Sequence, residues 1–151
     1  MTKILVTVGT TSFDLLIESV DIIAASKTGY EFLFQKANGD YLPKNGAYFE
    51  FTDTINDLYD QSSVVITHAG AGTIYRLLEL GKKIIVVPNL ERIDKHQSDI
   101  AEFMSKNGHL LVAWTTEELD DAISSCGNFE PIPYLKKEFF KYKEVAEFIE
   151  A

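Results

Sequence analysis

"SSVVITHAGAGTIYRLLELGKKIIVVPN", residues 62–89, reads as strand, glycine turn, helix and strand, and that order decides the fold class. Val64-Val65-Ile66-Thr67 is an unbroken run of strand-forming residues, the pattern of a strand buried on both faces. It breaks into His68-Ala69-Gly70-Ala71-Gly72-Thr73 and then into a helical pattern over 73–81, stopped by Gly81. "KIIVVP" (83–88) is the next buried strand. The same alternation extends in both directions. "KILVTV" (3–8) is a strand, and 13–26 is a helix with apolar residues at 13, 16, 17, 20, 23 and 24. Strands follow at 30–35 and 47–51, separated by a loop over 37–46 that holds two glycines and a proline. A short helix at 54–61 has Thr52 or Asp53 as its candidate cap. Further on come a helix at 95–108, a strand at 109–114, a helix at 117–125 opened by Thr116, and a last, proline-bounded helix within 131–151.

Buried strands alternating with helices predict an α/β fold, Rossmann-like and doubly wound: a mainly parallel sheet flanked by helices, in one domain over 1–151. In the order 3-2-1-4-5, strands one and four meet at the switch point, where ligands bind beyond the carboxyl ends of the strands. The loops there would be "VGTTS" (8–12) and "THAGAGT" (67–73), both small and polar and both opening a helix.

Bulk properties narrow the function. Fourteen basic against 23 acidic residues give a net charge of −9. That balance disfavours nucleic-acid binding and direct docking on anionic lipid, which both need clustered Lys and Arg. The apolar runs fall far short of the roughly 20 residues that cross a bilayer, and the opening Met1-Thr2-Lys3-Ile4 lacks a signal-peptide layout. The single cysteine, Cys126, cannot form an internal disulfide, so a reducing, cytoplasmic setting is expected.

Three clusters could carry chemistry. At the helix beginning near Gly72, bare first-turn amides would suit a phosphate, with Thr10, Thr11, Ser12 and Thr73 adding hydroxyls. The alternative is a tight turn that needs glycine for geometry alone. A dinucleotide fingerprint is excluded because its third glycine would fall at Tyr75, and no Gly-Lys-Ser/Thr marks a Walker loop. Asp94, His96, Gln97 and Asp99 start the helix after the fifth strand, where they suit sugar hydroxyls or serve as a cap and solvated face. His68 could contact a ligand, act as a general base, or be satisfied by backbone. No spacing matches a metal site. The last helix carries apolar residues at 135, 139, 142, 145, 146 and 149, for packing on its own domain or docking a partner.

"ILVTVGTT", "VVITHAGAGTI", "KKIIVVPN" and "DKHQSDIAEFMSKNG", in that order, resemble the donor-binding half of GT-B glycosyltransferases. Within that group the chain is similar to the small subunit of the two-part transferase that adds the second N-acetylglucosamine to lipid-linked glycan precursors. It also resembles PssE-type proteins of exopolysaccharide assembly and, more distantly, the C-terminal half of MurG. The resemblance implies a UDP-sugar donor, metal-independent inversion and no cofactor. It implies that Gly9, Thr10 and Thr11 lie near the diphosphate, that Gly70, Ala71, Gly72 and Thr73 cradle it, and that Asp94, His96 and Gln97 face the donor sugar. MurG-like enzymes hold the ribose with a glutamate at the position of Arg76, so Glu79, one turn on, is the candidate here. A partner is implied as well: a membrane-anchored, acceptor-binding subunit that carries the lipid-linked acceptor and recruits this chain to the cytoplasmic face of the membrane. A non-catalytic enhancer of that partner is the competing role.

Overall fold

Val64–Thr67 forms strand β4, and all four of its residues are buried. The computed structural model describes residues 1–68, 70–88 and 95–134, and for 95–97 the backbone alone. Around β4 stand β1 (Thr2–Thr7), β2 (Tyr30–Gln35), β3 (Ala47–Phe49), β5 (Lys83–Val86) and β6 (Leu111–Val112), in the order β3-β2-β1-β4-β5-β6. Every pairing is parallel. The helices are α1 (Asp14–Ala24), α2 (Ile55–Gln61), α3 (Ala71–Glu79), α4 (Lys95–Lys106) and α5 (Thr116–Ser125), and a 3₁₀ turn follows at Cys126–Asn128. The doubly wound sheet expected from the sequence is present, with a sixth strand on its outer edge.

The pleat divides the core into two layers. Ile4, Val6, Ile66 and Ile85 face α1 and α5, packing on Leu16, Ile17, Val20, Leu119 and Ile123. Leu5, Val65, Ile84 and Val86 face the other way, onto Ile74, Leu77, Ile100 and Met104 of α3 and α4. Each central strand is covered on both sides, which is why its sequence shows no alternation.

Two helix starts differ from expectation. Thr115, not Thr116, caps α5 by accepting from the Glu118 amide, while Glu118 Oε2 accepts from the Trp114 amide 3.0 Å away. The first residue of α2 follows Thr54, and Thr52 accepts from the Thr54 amide without capping the helix. Residues 131–134 are not helical, and the apolar stripe from 135 onward lies outside the described residues.

The β2–β3 connection has no helix, so its main-chain groups need other partners. Asp21 supplies them from inside α1, where it is 2% exposed. Its carboxylate accepts from the Tyr41 hydroxyl at 2.6 Å, from the Asn45 amide at 2.8 Å and from the Lys44 amide at 3.0 Å. Burial works against its charge, but the bonds from Tyr41, Lys44 and Asn45 prevail, and its pKa is lowered. The same bond, with burial, pushes Tyr41 up to about 12.

Replacing Asp21 with alanine should cost about 1–3 kcal/mol, because several half-buried hydrogen bonds lose their charged acceptor. A depressed native pKa means the carboxylate stabilises fully above the unfolded aspartate value of about 3.9 and loses that contribution as pH falls through the native value. In urea unfolding, the gap in stability between wild type and Asp21→Asn should therefore narrow below about pH 4. A gap that is constant with pH would contradict this account.

Candidate functional site

β1 and β4 lie side by side in parallel, with Thr7 opposite Thr67. Their exits therefore deliver two loops to one edge of the sheet, 8–13 before α1 and 68–70 before α3. Two side chains organise these loops, one buried and one half-buried.

One is Gln35, the last residue of β2, 3% exposed. Its Oε1 accepts from Thr7 Oγ1 at 2.6 Å and from the amides of Val8 and Gly9, both at 2.9 Å. Its Nε2 donates to the carbonyls of Gly9 and Glu50, both at 2.8 Å. Gly9 takes a left-handed φ of +72°, and both its amide and its carbonyl turn onto this one carboxamide. The Gly9 amide is thus occupied within the protein. The next two residues, Thr10 and Thr11, are exposed. Sequence reasoning placed Gln35 at a strand end and gave it no role. An amide-bearing residue closing a buried apolar strand, opposite a Val-Gly exit, was the available signal.

The other is His68. Its Nε2 lies 2.8 Å from the Val8 carbonyl. A carbonyl only accepts, so Nε2 carries the proton and Nδ1 the lone pair. Burial, opposed by that bond, lowers the His68 pKa and favours the neutral ring. Backbone satisfaction, one of the alternatives open from sequence, is met at one nitrogen and leaves the other.

The two glycines of the turn have different reasons. A Cβ on Gly70 would come 2.7 Å from Cε1 of His68, a contact no side chain tolerates, so Gly70 makes room for the imidazole. A Cβ on Gly72 would meet nothing within 4 Å among the described residues, and Gly72 is exposed. Among the described residues nothing fills the space over Gly72. Gly70 is the N-cap of α3 in extended conformation, and among the described residues no side chain caps the helix. Its carbonyl accepts from the Ile74 amide, the first helical bond. The amides of Ala71, Gly72 and Thr73 precede that bond, and the positive end of the helix dipole sits on them.

Of the remaining residues singled out from sequence, Thr73 stands in this first turn, half-buried. Arg76 reaches Asn56 Oδ1 at 3.2 Å. Glu79 ends α3, and seven residues at about 1.5 Å each put it roughly 10 Å along the axis from Gly72. There it lines a separate groove of about 230 Å³ with Lys82, His109 and Tyr134, so the structure does not bring it to the loops of β1 and β4. Asp94 lies outside the described residues. His96 and Gln97 stand in the first turn of α4, and their side chains are not described. Among the described residues no cluster of His, Cys, Asp or Glu could hold a metal ion.

Comparison with known proteins agrees with this architecture. The model of the glycosyltransferase family 28 C-terminal domain matches residues 3–150. A mouse (Mus musculus) protein named UDP-N-acetylglucosamine transferase subunit ALG13 is 37% identical over an alignment of length 123 that covers 74% of this chain and 10% of that protein. Among solved structures, MurG of Acinetobacter baumannii superposes with a TM-score of 0.70 at 20% identity over 83% of this chain and 41% of that one. The solution structure of ALG13 superposes with a TM-score of 0.61 at 22% identity, covering 93% of both chains. The chain spans about a tenth of the mouse relative and less than half of MurG. With a six-stranded parallel sheet, paired loops at the β1–β4 edge and a match over nearly its whole length, the chain belongs to the glycosyltransferase family 28 C-terminal domain family.

Proposed function

We propose that this chain is the donor-binding, catalytic subunit of an inverting, UDP-sugar-dependent glycosyltransferase. One observation carries the reading: the first turn of α3 is uncapped, bare at Gly72, and set beside the β1 exit. The diphosphate of a nucleotide sugar fits there. The amides of residues 71–73 donate to its oxygens and the helix dipole offsets the charge that grows as the nucleotide leaves. Thr10 and Thr11 bound the diphosphate from the facing loop. Asp94, His96 and Gln97, at the start of α4, hold the sugar. Transfer inverts the anomeric carbon as a base removes the acceptor hydroxyl's proton. His68 supplies that base through Nδ1, its one ring nitrogen not committed to the main chain. The amides and dipole serve in place of a metal, so activity should persist in EDTA.

The name of the mouse relative makes UDP-N-acetylglucosamine the first donor to test. That name calls the relative a subunit, and this chain matches less than half of MurG. The subunit name supports a second chain that completes the active site and presents a lipid-linked acceptor of glycan-precursor or, by the PssE-type resemblance, exopolysaccharide synthesis. No helix among the described residues is long and apolar enough to cross a membrane, and the reading assigns membrane attachment to that partner.

The test is co-expression with the acceptor-binding partner and an assay of sugar transfer from UDP-N-acetylglucosamine. Gly72→Val puts a branched side chain over the first-turn amides and should raise the donor KM at least tenfold, with Gly72→Ala milder. An unchanged donor KM together with unchanged turnover in Gly72→Val would leave the chain an enhancer of its partner. His68→Gln keeps an N–H able to reach Val8 and removes the basic nitrogen. It should lower kcat by about 100-fold or more, the range of general-base loss, with the donor KM within about threefold. An unaltered kcat assigns the base to the partner.

A further inference from the structure

We propose that Gln35 is the positioning residue of the donor site, holding the β1–α1 loop in the one conformation that accepts a nucleotide diphosphate. The inference rests on the donor-binding reading above. Thr10 and Thr11 can reach a ligand only if Val8 and Gly9 leave the sheet at a set angle. Gly9 could adopt many conformations, since glycine visits left- and right-handed regions with equal ease. Its φ of +72° is selected because one carboxamide takes both its amide and its carbonyl.

The chemistry of that group is specific. Oε1 accepts three bonds and Nε2 donates two, to Gly9 and to Glu50, so both ends of the amide are used in opposite senses. Glutamate is isosteric but would set an anion against the two carbonyls, and would also place negative charge near a diphosphate. Leucine fills the space and bonds nothing. The bond to Glu50 ties the loop to the residue just after β3, on the far side of β2 from β1. His68 fixes the Val8 carbonyl from the β4 side. Gln35 thus links three neighbouring strands to a loop that contacts ligand, without touching ligand itself.

The experiment uses the chain with its partner and compares wild type, Gln35→Leu, Gln35→Glu and Gln35→Asn. Donor KM, acceptor KM and kcat are measured beside complex yield and thermal unfolding. Gln35→Leu should raise the donor KM at least tenfold and leave the acceptor KM within twofold. Gln35→Glu should share that defect at pH 8 and recover part of its donor affinity as pH falls, since a protonated carboxyl can donate to the Gly9 carbonyl as the amide does. If Gln35→Leu does not fold, the same split is read from Gln35→Asn, which keeps both polar ends one methylene short. Equal losses for donor and acceptor, or donor KM within twofold in folded variants, would reduce Gln35 to a structural residue and overturn the proposal. Amide shifts at residues 10–12 and 71–73 of the wild-type chain on adding UDP-N-acetylglucosamine separate the two failures. Shifts in wild type with an indifferent Gln35 sink this inference alone, and no shift in wild type sinks the donor-binding reading beneath it.

Discussion

A parallel sheet buried on both faces solves its hydrogen bonding internally until its strands end. At the carboxyl edge the main chain must leave the ladder while still surrounded by protein, and each amide and carbonyl there needs a partner. In this molecule the burden falls on β1, the strand with neighbours on both sides at the switch point. Gln35 meets it from β2 and His68 from β4. The two side chains satisfy the exit of β1 and, in doing so, define the floor between the two loops. Much else is arranged around that floor: the size of Gly70, the left-handed turn at Gly9 and the neutral state of His68.

The same economy separates two glycines that look alike in the sequence. Gly70 is small because of a neighbour in its own chain, and Gly72 is small where no described neighbour comes near. Only the second leaves room that no described residue uses. The functional reading therefore narrows from a glycine-rich loop to the first turn of one helix.

Much of the fold was legible because burial on both faces writes itself as uninterrupted apolar runs. β2 and β4 have the bounds that "YEFLFQ" and "VVIT" suggest. Residues whose role depends on a distant segment were not legible. Asp21 follows the apolar position Val20 in α1 and reads as solvated, yet it is buried because an irregular connection of the β2–β3 region lies over it. Gln35 reads as the polar end of a strand, and only the parallel register that sets Gln35 opposite Thr7 shows what it holds. Glu79 was chosen by helical spacing from Arg76, but the turn between them carries it away from the amino end of α3. A cap at Thr115 in place of Thr116 is a shift of one residue, decided by which hydroxyl meets the Glu118 amide.

The two margins of the sheet are short: three residues in β3 and two in β6. A strand from another molecule gains affinity by continuing the ladder of main-chain bonds, and margins of this length give it little to continue. Edge-to-edge aggregation is thereby discouraged without charged gatekeepers. Among the described residues the larger surfaces open to association are helix faces and loops, where side-chain shape rather than backbone pairing chooses the companion.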